Sequence, residues 1–173
     1  MKNRMRCLLM FLFLVTVSCT CFPQSIALHA GRSLFPADYI GIQYAHYSNS
    51  QVNLSVGLNT ETSRKSGLHY TSYGLDLLAQ YDFGNDKNVN QLFNVKAGFG
   101  STCQVENEPW VYNGLSLKQR INYGFLAELE GELMVSESFG LLVFAQQKFL
   151  FNKALGSTAF AFGIGLRFHL NNF

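Results

Sequence analysis

The C-terminal stretch Thr158–Phe173 alternates strictly between two kinds of residue. Its even-numbered positions from 160 to 170 are Phe, Ile or Leu, and its odd-numbered positions from 159 to 169 are Ala, Gly, Arg or His. Successive side chains of a β-strand point to opposite faces, so this pattern predicts a strand with one continuous apolar face. A soluble β-sandwich usually has bulk on its inner face, whereas a barrel in lipid has an apolar exterior and a lumen that accepts glycine and charge. The pattern favours the lipid-embedded barrel.

Seven further segments alternate in a similar way, and the three prolines of the chain lie outside them. No apolar run at helical spacing is long enough to predict a helix of more than a few turns. The segments are Ser25–Gly31, Ala37–Tyr47, Gln51–Asn59, His69–Phe83, Gln91–Cys103, Ile121–Val135 and Phe139–Phe151. The sequence therefore predicts an all-β fold, an antiparallel up-and-down β-barrel of about eight strands and of the outer-membrane type.

Three glutamates, Glu128, Glu130 and Glu132, separate a helical interpretation of their segment from a β-strand. A helix would spread these charges around its axis, but a strand projects all three to one face. In a lipid-embedded barrel that face must be the lumen, because a charge in hydrocarbon costs several kcal/mol. We expect internal partners for them among Lys96, Lys148 and Arg167. Such a cluster is more typical of a structural plug than of a binding site.

The predicted connections form a second argument for a transmembrane barrel. Those after the second, fourth and sixth strands are brief, at residues 48–50, 84–90 and 136–138. Those after the first, third, fifth and seventh are longer on average, at residues 32–36, 60–68, 104–120 and 152–156. Short periplasmic turns alternating with longer outer loops are typical of outer-membrane barrels. An even number of strands places both chain ends on the periplasmic side, and eight strands leave no room for a wide pore.

The N-terminal segment Met1–Gln24 has the features of an export signal. It contains three basic residues, no acidic ones and the apolar run Leu8–Val17, which is shorter than the roughly 20 residues a membrane-spanning helix needs. The alternative is a short membrane anchor. Ser18–Cys21 supplies small residues for a peptidase, and Cys19 lies in a loose lipobox-like context that leaves lipidation open. We predict a signal peptide over residues 1–24 and a β-barrel domain over residues 25–173.

Removal of this segment changes the charge and the cysteine content of the chain. Three of the 13 basic residues leave with it, so 10 basic residues face 11 acidic ones and the net charge becomes −1. No basic surface for nucleic acid is predicted. Three of the four cysteines lie in or beside the segment, and Cys103 is left as a small residue expected at a strand end. This excludes a disulfide framework and a CxxC metal pair in the barrel domain.

The sequence contains no recognisable catalytic, cofactor or metal motif. The four histidines, His29, His46, His69 and His169, occur on separate predicted strands without the spacing of a metal site. Ser72 and Ser101 lie within a few positions of His69 and Cys103, but neither has a nucleophile elbow around it. The glycines of F-G-I-G-L are better explained by packing against a neighbouring strand than by phosphate binding. We therefore predict no enzyme, no cofactor and no metal.

The longest predicted connection, Gln104–Arg120, contains Trp110 and Tyr112. These aromatic residues are candidates for exposed anchors that bind a partner. They suit an interfacial aromatic girdle equally well.

The last two predicted strands carry a resemblance to a known family. Gly140–Phe151 (G-L-L-V-F-A-Q-Q-K-F-L-F) and Ala161–Phe168 (A-F-G-I-G-L-R-F) resemble the C-terminal part of the conjugal transfer protein TraO family. The segment Y-G-F-L-A-E-L-E-G-E before them and F-N-V-K-A-G-F-G are similar to earlier parts of that family. Its members are small barrel-type proteins carried by conjugative transposons of Bacteroidetes. The family has no catalytic signature, so the resemblance implies no site residues.

The resemblance implies a structural or accessory outer-membrane component of a conjugative DNA-transfer apparatus, reached by Sec-type export in a Gram-negative bacterium. Its implied partners are outer-membrane lipid and other conjugative-transfer proteins, without direct nucleic-acid binding. The alternative is a generic small outer-membrane barrel for adhesion, envelope stability or small-ligand binding. A lipid-modifying barrel enzyme that uses Ser and His is a third hypothesis.

Overall fold

The computed structural model describes residues 24–34, 37–47, 51–65, 68–84, 92–107, 119–151 and 157–170. These residues form eight β-strands in chain order. The strands are β1 (Gln24–Ser33), β2 (Ala37–Tyr47), β3 (Val52–Lys65), β4 (Leu68–Asp82), β5 (Phe93–Asn107), β6 (Gln119–Ser136), β7 (Phe139–Phe151) and β8 (Thr158–Leu170). In the described ranges no helix is both long and apolar enough to cross a membrane.

Each strand pairs antiparallel with the next, and β8 pairs with β1, so the sheet closes into a barrel. The closing ladder runs from Gln24 opposite Leu170 to Ser33 opposite Ala161 without a break. Closure pairs the backbone N–H and C=O groups on the free edges of β1 and β8, which would otherwise be exposed sheet edges. The predicted fold, an antiparallel up-and-down barrel of eight strands, is confirmed.

The predicted inside–outside alternation of β8 is also confirmed. Phe162, Ile164 and Leu166 on its even positions are 48%, 68% and 38% exposed. Ala161 and Arg167 on its odd positions are 4% and 0% exposed. The same division continues around the barrel, where most large apolar side chains are exposed and most buried side chains are polar or charged. This distribution is the reverse of that of a water-soluble domain.

Two glycines allow β1 and β8 to approach at the seam. Gly31 and Gly163 are register partners. A Cβ atom built on Gly163 would overlap the backbone of Ala30 and Gly31, and one built on Gly31 would overlap the backbone of Phe162. The small residues of the F-G-I-G-L segment therefore serve the packing against a neighbouring strand that the sequence predicts.

Three predicted connections are wrong in their bounds, among them 104–120, whose first four and last two residues belong to β5 and β6. The segment 60–68, predicted to be a loop, belongs largely to β3 and β4, which leave only residues 66–67 between them. The connection after β4 spans residues 83–92 and is longer than the predicted brief turn. The predicted contrast between brief connections after even-numbered strands and longer ones after odd-numbered strands is therefore not found. In β3, Glu61 and Ser63 still pair with β4, opposite Ser72 and Tyr70. The outward Thr60 and Thr62 are polar, so the apolar periodicity ends while the backbone ladder continues.

The start of the barrel also differs from the prediction by one residue. Gln24 is the first residue of β1 and has His46 and Leu170 as its register partners, so it belongs to the barrel. The rest of the predicted signal segment, with Cys19, lies outside the described residues, as do Trp110 and Tyr112.

The seam between β1 and β8 yields a testable prediction. We expect Gly163→Ala to destabilise the barrel by about 1–3 kcal/mol, because its methyl group overlaps backbone that cannot move without breaking the closing ladder. Gly57→Ala is the matched control, since a Cβ there meets nothing closer than 3.7 Å. The stability of both variants is measured by urea unfolding in detergent. The folded fraction is monitored by the heat-modifiable gel shift, which is the difference in mobility between unboiled and boiled samples. Equal stability of the two variants would contradict the close approach.

Candidate functional site

The lumen of the barrel contains a charged network built on β6. Glu128, Glu130 and Glu132 occupy successive inward positions of this strand and are 6%, 1% and 1% exposed. Their predicted projection to the lumen is confirmed. Because a barrel of eight strands encloses little more than its own side chains, groups from several strands meet at these three carboxylates.

Arg167 from β8 binds two of the three carboxylates. Its Nη1 and Nη2 donate to Oε1 and Oε2 of Glu130 at 2.5 and 2.7 Å, which is a bidentate pair, and Nη1 also lies 2.9 Å from Oε2 of Glu132. The intervening strand β7 contributes Gly140, where a Cβ atom would lie only 2.5 Å from Oε1 of Glu132. Glycine at this position therefore leaves the room that Glu132 needs to reach across β7.

A second cation, Lys96, extends this cluster toward the end of the barrel where β1 begins and β8 ends. Lys96 Nζ from β5 donates to Glu132 Oε2 at 2.9 Å and lies 3.9 Å from Glu130 Oε1. His169 Nε2 is 2.6 Å from Glu132 Oε1, and the ring of Tyr47 stacks on the His169 ring at 6.1 Å. The predicted partnership of Arg167 and Lys96 with the glutamates is confirmed. Two carboxylates and two cations balance each other here.

Lys148 has a different partner from the one predicted. Its Nζ lies 3.0 Å from Oδ2 of Asp76 on β4 and donates to Oδ1 of Asn59 at 3.2 Å. Asp76 also accepts hydrogen bonds from Asn59 Nδ2 and Thr102 Oγ1, both at 2.6 Å. The alternation of β7 predicts that Lys148 points inward but does not say which strand it faces across the lumen. Sequence analysis did not identify Asp76 as the partner of Lys148.

Glu128 is held by amides instead of cations. The Nε2 atoms of Gln43, Gln80 and Gln146 donate to its carboxylate at 3.3, 2.9 and 3.1 Å. No lysine or arginine among the described residues forms an ion pair with it. The three glutamines come from β2, β4 and β7, so they ring the carboxylate from three sides of the barrel.

The residues considered for catalysis do not assemble into a site. Ser72 is fully buried on the luminal face of β4, whereas Ser101 on β5 is exposed on the exterior. Cys103 is likewise exposed, and it lies within β5 instead of at the predicted strand end. The side chain of His69 lies outside the described residues. Of the remaining histidines, His29 and His169 face the lumen, on β1 and β8.

The described ranges contain no group of three or more His, Cys, Asp or Glu side chains that could hold a metal ion. The chemistry of the lumen is that of buried ion pairs and amide–carboxylate hydrogen bonds. Some of these contacts, such as Arg167–Glu130 and Lys148–Asp76, join strands that are not neighbours in the sheet, and the side chains fill the space through which a solute would pass.

No family model matches the sequence, and no curated protein matches it either. Solved structures of outer-membrane β-barrels do resemble it. The N-terminal β-barrel domain of Pseudomonas aeruginosa OprF has a TM-score of 0.65 at 16% identity, over 86% of this chain and 97% of that one. Neisserial surface protein A (NspA) has a TM-score of 0.61 at 15% identity, over 85% and 95%. Ail, the attachment invasion locus protein of Yersinia pestis, has a TM-score of 0.59 at 8% identity, over 86% and 99%. At these identities the likeness shows a shared fold.

The ion-pair cluster yields a prediction about stability. Arg167→Leu leaves Glu130 and Glu132 without their shared guanidinium, and loss of one partner from a buried ion pair costs about 3–5 kcal/mol. The double variant E130L/R167L removes one anion together with the cation and keeps the 2.9 Å pair of Lys96 with Glu132. We expect it to recover most of the lost stability in urea unfolding. A double variant that is no more stable than R167L would contradict the pairing.

Proposed function

We propose that this protein is a small barrel of the bacterial outer membrane that acts at the cell surface in adhesion, envelope stability or small-ligand binding. The observation that carries the proposal is the inverted distribution of side chains, with apolar groups outside and charged groups inside. On β6, for example, Phe125, Leu129 and Leu133 are 50%, 55% and 46% exposed, while the glutamates between them are buried. Such an apolar exterior is stable in the hydrocarbon core of a membrane.

The filled lumen argues against a role as a diffusion pore. Arg167, Lys148 and Lys96 are 0%, 1% and 2% exposed and extend into the barrel from three different strands. Activity at the surface would therefore lie in the connections at the barrel ends. An even strand number places both chain termini at one end, periplasmic in barrels of this type. The connections after β1, β3, β5 and β7 would then face outward, among them the predicted loop with Trp110 and Tyr112.

The names of two of the similar proteins support placement at the cell surface. NspA is called a surface protein, and Ail is named for attachment and invasion. For this chain, adhesion through the outer connections is the corresponding proposal. Outer-membrane lipid is then its permanent partner, and export through the Sec system by the N-terminal signal segment that precedes Gln24 is the route to it.

Membrane insertion can be tested with two matched substitutions to arginine on the exterior of the barrel. Leu129 lies on the exterior near the middle of β6, where a lysine or arginine costs about 2–4 kcal/mol in a bilayer. Thr62 lies on the exterior near the β3–β4 connection, where the cost falls to about 0–1 kcal/mol. We expect Leu129→Arg to lower the amount of heat-modifiable barrel in outer-membrane fractions and Thr62→Arg to leave it unchanged. Recovery of both variants, folded, in the soluble periplasmic fraction would overturn the proposal.

A part in conjugative DNA transfer is a second proposal. It is supported by the resemblance of Gly140–Phe151 and Ala161–Phe168 to the TraO family, segments that correspond to β7 and most of β8. The partners would be other proteins of the transfer apparatus. We expect deletion of the coding sequence from a donor to lower transfer frequency, with recovery from a plasmid copy. Unchanged transfer, with normal amounts of the other transfer proteins, would favour the generic surface role.

A further inference from the structure

A small cavity lies beside Glu128 in the middle of the lumen. Its volume is about 10 Å³, roughly the room for one water molecule. Glu128, Asp76, Gln43, Gln146, His29 and Tyr39 are among its lining residues, and Gly41 and Gly57 also border it without contributing a side chain. The polar lining is rich in oxygen atoms, because the amide nitrogens of both glutamines already donate to Glu128.

The amide oxygens of these two glutamines have no donor. Gln43 and Gln146 are 3% and 2% exposed, and in the described part of the chain the Oε1 atom of each lacks a hydrogen-bond partner. A buried carbonyl oxygen without a donor costs about 1–3 kcal/mol. Both amides are oriented by the carboxylate, so neither can turn its oxygen away without losing the hydrogen bond from its nitrogen. The cavity therefore suits an occupant that presents positive charge or donated protons to oxygen.

The charges around the cavity distinguish between a cation and a neutral proton donor such as water as its occupant. Asp76 is paired with Lys148 at 3.0 Å. Glu130 and Glu132 are balanced by Arg167 and Lys96, as described above. Glu128 alone among these buried carboxylates has three amide donors and no lysine or arginine partner in the described ranges. An ionised carboxylate in the interior without a compensating charge is strongly unfavourable.

We propose that the cavity binds a single monovalent hard cation of water size, Na⁺, between the Glu128 carboxylate and the amide oxygens of Gln43 and Gln146. Carboxylate and carbonyl oxygens are the ligands that hard cations prefer. One uncompensated negative charge matches one positive charge, which favours a monovalent ion over Ca²⁺ or Mg²⁺. A water molecule could donate to both amide oxygens but would bring no positive charge to the Glu128 carboxylate.

The test uses the purified protein refolded in detergent at one ionic strength, supplied either as sodium chloride or as choline chloride. Choline is too large for a cavity of this size, and equal ionic strength removes general screening from the comparison. The temperature of the heat-modifiable gel shift reports unfolding. We expect it to rise with the sodium fraction and to reach a plateau, as for a ligand that binds only the folded state.

Two isosteric variants locate the effect. Glu128→Gln removes the charge and should abolish the sodium dependence, while Glu61→Gln removes another buried luminal carboxylate that does not line the cavity and should preserve it. Gln146→Leu, which removes one of the two free oxygens, should weaken the dependence even if Glu128→Gln folds poorly. Identical unfolding temperatures in sodium and choline would show that the cavity holds water only. A sodium effect that persists in Glu128→Gln would also overturn the proposal.

Discussion

The hydrogen-bond ladder between β1 and β8 is the constraint on which the rest of this structure depends. In hydrocarbon no water can satisfy a backbone N–H or C=O, so a sheet is stable there only when it has no edge. The uninterrupted pairing from Gln24–Leu170 to Ser33–Ala161 removes that edge. Closure then sends every second side chain inward, and with eight strands the inward side chains must fill the lumen themselves. The glycines at the seam and the charged groups of the interior both follow from this geometry.

The charged interior also specifies the register of the strands. A slip of one residue would exchange the two faces of a strand, because the side-chain period is two. For β8 such a slip would move Arg167 from its bidentate pair with Glu130 into the apolar exterior. For β6 it would move three glutamates at once. Buried ion pairs contribute little net stability compared with apolar packing, but they make the wrong registers very costly. The network therefore acts chiefly on specificity.

Much of the fold could be predicted from the sequence, because alternation reports which face of a strand a residue occupies. It correctly placed Glu130 and Arg167 in the lumen, and it located β2 and β7 to the residue. Alternation does not report how far each strand is staggered around the barrel, so the pairing of Lys148 with Asp76 could not be predicted. Nor does it report strands that extend beyond the apolar band, where β3 continues past Asn59 with polar residues on both faces. The length of the connection between β3 and β4 was misjudged for this reason.

The division of β8 into a lipid face and a luminal face is the central claim, and spin-label scanning in bilayers tests it most directly. Single cysteines at residues 159–162 and 166–169, in a background whose native cysteines are replaced by serine, would carry the label. Molecular oxygen concentrates in hydrocarbon, whereas a nickel chelate stays in water. We expect high oxygen accessibility at the even positions, low accessibility to both reagents at the odd ones, and a period of two. High nickel accessibility at the even positions, or no alternation, would contradict it.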